Sequence, residues 1–594
     1  MNHARPRPAI EDYGFLSDCQ APALVSKDGS VDWWCPPRVD APPVFGRLLD
    51  DDAGHWALTF DGTTSVERRY LPDSLVIETM LTCRSGAVLL REALAFEPGA
   101  RGHEVGLRSP HALVREVEVV HGAATLRCEF APRFEFGLTN PHFYAHGAAF
   151  VAETAVGRLR LDASVPLQER DGVVTAEVAL RQGQRVTFCA TYADRGRPLE
   201  EVDLSDAVEQ TRQSWASWAE LHPGYGGDYA EIARRSALVL QGLTYQPTGA
   251  VMAAATTSLP AAFGGESNWD YRYAWLRDLS LTAQALWIAA CPDEPARYLR
   301  FLADASGRPA AGSRVQIMYS VDGRRDLTEH TIHHLRGYRD SQPVRVGNAA
   351  WAQDQLDVMG EVLDLAYRFA EQLDPLEDRA REMLCWLADE AAKTWQSPDA
   401  GMWEARDDQR HYLTSKVMCW VALDRAVKLG PMLGGGAAIG HWQTVRDEIC
   451  AAVLDQGWND DVGAFTGAFG SDRLDASVLI LPLVDFLPAD DERMVATIDA
   501  VQRQLVQDGL VFRWDGDTNG FVLCTYWLVE CFALTGRVEE ARNLFDQLTA
   551  RSNDLGLFAE QIEPSSGAHT GNFPQAFSHV GLINAAWRLA TIDN

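Results

Sequence analysis

The spacing of apolar residues along this 594-residue chain changes once, near residue 205, and that change divides it into two kinds of structure. Up to about residue 200, short runs alternate apolar and polar. Val117 and Val119 alternate with Glu116 and Glu118; beyond a turn expected at His121-Gly122, Leu126, Cys128 and Phe130 alternate with Arg127 and Glu129. Runs of the same kind occupy 158–163, 172–180 and 184–192, with Asp171-Gly172 and Gly183 as breakers. A period of two with closely spaced turns predicts an antiparallel β-sandwich. Ser205 is then placed to cap a helix over 206–221, and His222-Pro223-Gly224-Tyr225-Gly226-Gly227 breaks the chain. Helical spacing follows near 228–246, 276–290, 293–306, 349–373, 376–396, 411–429, 440–456, 473–484, 490–507, 519–535, 537–550 and 573–590. About twelve helices behind a sandwich predict an (α/α)6 toroid, six helices inside and six outside, with the functional site in a funnel of connecting loops. The expected division is an N-terminal β-sandwich over 1–204, a helical linker over 205–227 and the toroid over 228–594. No repeat with a shared signature is visible, which argues against an ordinary solenoid.

Charge narrows the partners. With 53 Lys and Arg against 83 Asp and Glu, the formal balance is −30. Nucleic acid is excluded because phosphate binding draws on clustered basic residues, and an anionic membrane surface is excluded for the same reason. An uncharged sugar meets no such repulsion, and the 18 Trp supply aromatic faces suited to sugar rings or to the core. The first 15 residues hold no apolar signal region, and no run approaches the roughly 18 apolar residues of a membrane span. The 11 Cys are scattered and form no CxxC pair, which predicts reduced thiols in a cytoplasmic protein. The His residues lack zinc-site spacing, so neither metal nor cofactor is expected. A homo-oligomer is left open.

Three segments carry candidate chemistry. Ser267 to Asp278 packs Trp269, Tyr271, Tyr273 and Trp275 with Asp270, Arg272, Arg277 and Asp278 into twelve residues. Such a mixture is poor core material unless every charge is paired, but it suits a sugar pocket, where aromatics bound the ring and Asp and Arg bond its hydroxyls. A salt-bridged helix entrance at Arg277-Asp278 is the plainer alternative. In Gly401 to Arg406, Glu404 follows Trp403, and a carboxyl packed on an aromatic ring is partly desolvated and stays protonated as a general acid. Isolated Trp-Glu pairs are more often surface turns. Glu560 follows the apolar run Leu555 to Ala559, and a second carboxyl completes glycoside hydrolysis: one acid for the leaving oxygen, one base for a water. Gly571 to His579 reads as a loop supporting the funnel. Asp515-x-Asp517-x-Asn519-Gly520 opens like a calcium loop but has Tyr526 at its twelfth position. The glycine run Gly434 to Gly440 has no preceding strand and no following Gly-Lys-Ser/Thr, and no G-x-S-x-G elbow exists.

Read in order, Asn268-Trp269-Asp270-Tyr271-Arg272-Tyr273 with Leu276-Arg277-Asp278, then Trp403-Glu404, then Ala559-Glu560-Gln561, resemble glycoside hydrolase family 15, the glucoamylases and their bacterial trehalase-like relatives. The resemblance covers nearly the whole chain. Ile10 to Tyr13 and Asp28 to Trp33 look like that family's N-terminal sandwich, and Tyr319 to Asp326, Pro343 to Ala350 and Gly571 to Gly581 like its catalytic domain. It implies an inverting hydrolase that releases β-D-glucose from α-glucosides without a metal. Glu404 would be the general acid and Glu560 the general base; Arg277 and Asp278 would bind the non-reducing glucose, and Trp269, Trp275 and Trp403 would shape the pocket. Ala274 stands where Cys is more often expected, and Asn519-Gly520-Phe521 where relatives often carry Glu-Gly-Phe. The expected activity is exo-acting and glucoamylase-like, on α-linked gluco-oligosaccharides. An α,α-trehalase with the same carboxyl pair is the alternative, and a non-catalytic carbohydrate-binding protein or a phosphorylase on this fold ranks lower. Inversion requires the two carboxyls about 6.5–9.5 Å apart, leaving room for a water.

Overall fold

The computed structural model describes residues 7–221, 226–288, 295–307, 314–434 and 437–592. Residues 222–225 of the expected chain break, 289–290 and 293–294 of two expected helices and 435–436 of the glycine run lie outside them.

Fourteen antiparallel strands between Tyr13 and Asp194 form two sheets joined by one long strand, Ala112–Ala131. Its first half pairs with Gly86–Leu94 and Arg185–Asp194, its second half with His55–Phe60 and Val173–Arg181. The expected turn at His121-Gly122 is therefore a bend inside one strand. Val88 pairs with Val119 and Ala87 with His121, leaving Val120 as an extra, bulged residue. Gly122 follows at φ +68°, where a Cβ would stand 2.3 Å from the Ser85 carbonyl. A bulge plus a left-handed glycine swings the strand from one sheet to the other without reversing it. Arg115, on this strand, is fully buried; it pairs with Glu92 at 2.6 Å and donates to the carbonyls of Gly29 and Trp56 on the other sheet.

Helix α1 (Ala207–Leu221) packs back on the sandwich, with Trp215 against Phe96. It starts two residues after Ser205, whose hydroxyl donates to Asp203 instead of capping the helix. The second unit contains α2 (Ala230–Gly242), α3 (Leu276–Ile288), α4 (Pro295–Ser306), α5 (Asp357–Arg368), α6 (Asp378–Thr394), α7 (Leu413–Lys428) and the single turn α8 (Gly430–Leu433). It continues with α9 (Ile439–Gln456), α10 (Ile480–Leu483), α11 (Glu492–Gln504), α12 (Val522–Leu534), α13 (Val538–Thr549) and α14 (Ala576–Ile592). Helices α3, α5, α7, α10, α12 and α14 pack in a closed ring, and α2, α4, α6, α9, α11 and α13 alternate with them on the outside. This is the (α/α)6 toroid. The inner helix α12 is apolar almost all round, whereas the outer α13 buries Ala541, Leu544, Phe545 and Leu548 along one stripe. Over 473–484 the expected helix is shortened to a 3-10 turn, Ala476–Leu479, running into α10.

The two units share one apolar core. At their junction Arg272 grips Asp270 through two hydrogen bonds of 2.8 and 2.7 Å, both side chains fully buried. Arg272 also donates to the carbonyls of Val39 and Ala41 in the N-terminal unit, at 3.2 and 2.8 Å, and Trp33 Nε1 donates to the Ala255 carbonyl at 2.9 Å. Removing one partner of a buried pair strands the other charge, so Arg272→Ala is expected to cost about 3–5 kcal/mol of unfolding free energy, and the double change Asp270→Leu, Arg272→Met much less. Denaturant titration of the three proteins checks the order.

Candidate active site

The pocket rests on residues 268–275, which run extended beside 253–258. Ser258 N–H donates to the Trp269 carbonyl, Ala254 N–H to Tyr271 and Ala253 N–H to Tyr273, at 2.9, 2.9 and 3.0 Å. Successive side chains of an extended chain point to opposite sides. Trp269, Tyr271 and Trp275 line a cavity of about 530 Å³, together with Arg277, Asp278, Trp403, Glu404 and Glu560; Tyr273, of the same parity, departs from the alternation and accepts from the Gly347 N–H beside Asp270. Asn268 and Asp270 have the other parity and turn inward. Asp270, expected on the sugar, is absent from the cavity wall: its carboxylate is taken by Arg272 and the Gly347 N–H. Ala274 is buried where the chain pairs with Met318–Tyr319.

Glu404 ends the tight turn begun at Gly401 and has φ +60°, a left-handed conformation that costs a non-glycine residue on the order of 1 kcal/mol. Trp275 Nε1 donates to its Oε1 at 2.6 Å, and Arg277 Nη2 approaches the same oxygen at 3.4 Å. Burial raises the Glu404 pKa, while Arg277 and the Trp275 hydrogen bond restrain the rise. Arg277 is held in turn by Asp357 at 2.8 Å and Gln355 at 3.1 Å. Glu560 is buried, and Tyr271 Oη donates to its Oε1 at 2.9 Å. Its pKa is also raised by burial, opposed by Arg513 and Tyr271 and helped by Asp517 and Glu404. Gly571, at φ +79°, lies against its other oxygen; a Cβ there would stand 2.6 Å from Oε2.

The six inner helices begin at this end of the ring, so their unsatisfied N–H groups and positive dipole ends surround the funnel floor. Asp278, Asp357 and Asp475 stand at or beside three of those starts. Trp403 packs edge-to-face on Phe521 and donates Nε1 to Asp475 at 2.9 Å. Trp269 is covered by the guanidinium groups of Arg406 and Arg345, at 3.7 and 4.3 Å, both tied to Glu329.

Arg345, Arg513, Trp514, Asp517, Gln575 and Phe577 also line the cavity and were not expected there from their chemistry. One signal for them was visible: Asp517, in the calcium-like spacing, sits four residues after Arg513 and pairs with it at 2.8 and 3.1 Å. Asn519 turns away and donates to the Ala261 carbonyl at 2.6 Å and to Thr570 at 3.0 Å, so this loop faces the cavity through Trp514, Gly516, Asp517 and Thr518. In the 571–579 loop, Asn572 donates to the Trp269 carbonyl at 2.8 Å, supporting the pocket wall. Among the described residues no three His, Cys, Asp or Glu are grouped to hold a metal ion, and no helix is long and apolar enough to cross a membrane.

A funnel at one end of an (α/α)6 ring, with one buried and one half-buried carboxyl, separately held in a wall of aromatics and guanidinium groups, defines a glycosidase. The pattern of Glycosyl hydrolases family 15 matches residues 227–587, and that of the trehalase-like N-terminal domain matches residues 3–154. The chain belongs to glycoside hydrolase family 15. A trehalase of Mycolicibacterium smegmatis is 38% identical over 612 residues, covering 98% of this chain and 91% of the relative. One from Mycobacterium tuberculosis is 38% identical over 611 residues, covering 98% and 89%, and one from Thermoplasma volcanium 31% over 594, covering 98% and 94%. A bacterial glucoamylase solved with acarbose shares the fold, with a TM-score of 0.73 at 14% identity over 99% of this chain and 97% of its own.

Burial pushes the Asp278 carboxyl up to about 7, with Arg277 opposing and Glu404 adding to the rise. An unfolded Asp ionises near 3.9, so between about pH 4 and pH 7 the folded chain holds a proton that the unfolded chain has released. Stability therefore falls as pH rises through that window. In Asp278→Asn the decline of melting temperature from pH 4 to pH 7 is expected to be shallower than in the unaltered protein; an equal slope would show that Asp278 does not hold that proton.

Proposed function

We propose that this protein is an α,α-trehalase that hydrolyses its substrate with inversion, Glu404 acting as general acid and Glu560 as general base. The placement of donors on the two carboxyls carries the assignment of acid and base. Trp275 and Arg277 both approach Oε1 of Glu404 and Gln355 also bonds its carboxyl, which orients the group to deliver its proton to the glycosidic oxygen. Tyr271 donates to Oε1 of Glu560; burial and the neighbouring carboxylates raise the phenol's own pKa, so it remains a donor and Glu560 remains the acceptor for a proton from water. The water adds to the anomeric carbon as the bond to the leaving oxygen breaks, and the proton it loses goes to Glu560. Arg277 and Asp278 are placed to bond the hydroxyls of the glucose being released, and Trp269, Tyr271, Trp275 and Trp403 to bound the rings.

Trehalose is preferred to longer α-linked chains because the relatives matched along almost their whole length are trehalases, which moves the glucoamylase-like expectation to second place. We place the protein in the cytoplasm; the described cysteines other than Cys19 are free and mostly buried, as a reducing compartment permits.

Inverting cleavage of trehalose yields one β-glucose and one α-glucose, which proton NMR of the fresh product resolves; two α-glucose molecules would mean retention. Glucose release from trehalose, maltose, isomaltose and soluble starch, with and without phosphate, ranks the substrates and exposes a phosphorylase. Glu560→Gln is expected to lower turnover at least about a hundredfold in a folded protein. Trp275→Phe removes a hydrogen bond that favours the Glu404 carboxylate, so its pKa rises further and the alkaline limb of kcat moves to higher pH. A limb that stays in place or moves down contradicts Glu404 as the acid.

A further inference from the structure

Beside the catalytic cavity lies a second one of about 290 Å³, and Trp403 and Trp514 belong to the walls of both. Its remaining walls include Tyr412, Arg410, Arg473 and Asp475. Aromatic faces among guanidinium and carboxylate groups take an uncharged polyhydroxyl ring, and this volume is near the lower limit, about 300 Å³, of small-molecule pockets. The partition between the cavities is firmly built. Asp475 accepts Trp403 Nε1 at 2.9 Å, its backbone forms a β-bridge with Trp514, and Ala476 N–H donates to the Arg513 carbonyl at 2.8 Å. The Arg513 guanidinium packs 4.5 Å from the Trp514 ring and 5.8 Å from Trp403. Trp403 is anchored through its N–H and adjoins Glu404, so the acid depends on it. The Trp514 indole has no hydrogen bond to the described residues and is the separable part of the wall.

We propose that the side cavity is a glucosyl subsite shut off from the catalytic cavity by Trp514, and that this indole confines the enzyme to disaccharides. The proposal rests on the trehalase reading and names what enforces it. With the indole removed, the two cavities become continuous and the aglycone side of the substrate gains room for another glucosyl ring.

The test compares kcat/KM for maltotriose with that for trehalose in Trp514→Ala and in the milder Trp514→Leu, each shown to be folded by circular dichroism. The ratio is expected to rise about tenfold or more in both, the scale on which a pocket distinguishes related substrates. Ser471→Trp, which adds bulk to the wall of the side cavity outside the catalytic one, is expected to leave trehalose hydrolysis unchanged alone and to cancel the gain when combined with either Trp514 change. An unchanged ratio, loss of both activities in both variants, or a gain that survives Ser471→Trp overturns the proposal. So does an unaltered enzyme that already hydrolyses maltotriose as well as trehalose. An unaltered enzyme active on maltose but not on trehalose overturns the trehalase reading instead, and the same ratio taken against maltose then decides the role of Trp514.

Discussion

Tyr271 and Trp275, packed edge to face with ring centres 5.6 Å apart, connect the two carboxyls of the pocket. Each ring contributes its single polar hydrogen to one of them, Tyr271 to Glu560 and Trp275 to Glu404. Rigid rings transmit position better than flexible chains, because a Tyr or Trp side chain has only two torsions before its polar atom. The separation of the two carboxyls is thus fixed by two residues of one extended segment, although Glu404 and Glu560 come from loops far along the chain. The remaining parts of the site restrain this unit: Arg277 approaches Glu404 from the first turn of α3, Gly571 leaves room for the second oxygen of Glu560, and Arg272 anchors the segment to the sandwich.

Carboxyls kept this far from water need compensation, and it is supplied locally. Arg277 serves Glu404, Arg513 serves Glu560 and Asp517, and the starts of the inner helices present positive dipole ends to the same volume. The compensation is incomplete, which is useful. Full pairing would hold both carboxyls ionised, whereas burial with only partial compensation by nearby guanidinium groups leaves their proton affinities raised. The overall excess of acidic residues has no part in this balance; it lies largely at the surface, where water and salt screen it.

The architecture was legible because its signals are local. Apolar spacing of two, then of three to four, is read within a dozen residues, and the inner and outer helices fall where that spacing places them. Errors arose where one residue changes direction without changing pattern: Gly122 reads as a reversal, yet only bends its strand. The site was legible through unusual local composition, which finds segments but does not orient them. Partners are too distant in sequence for that, 129 positions for Trp275 and Glu404 and 289 for Tyr271 and Glu560. Asp270 was misplaced for this reason, and Arg513 and Trp514 were passed over because only the folded ring brings their loop to the funnel. The substrate was the least legible property, since glucoamylase-like and trehalase action use the same two carboxyls.

The segment 268–275 also constrains how this enzyme can evolve. Trp269, Tyr271 and Trp275 face the cavity, while Asp270, Arg272 and Tyr273 fasten the same backbone to its surroundings, so the segment carries two interleaved messages. Substitution can edit either set separately. Insertion or deletion of one residue cannot, because it would move Tyr271 and Trp275 off the two carboxyls and Arg272 off the junction at once. Divergence of specificity is therefore channelled away from this segment, toward substitutions in loops such as 513–518.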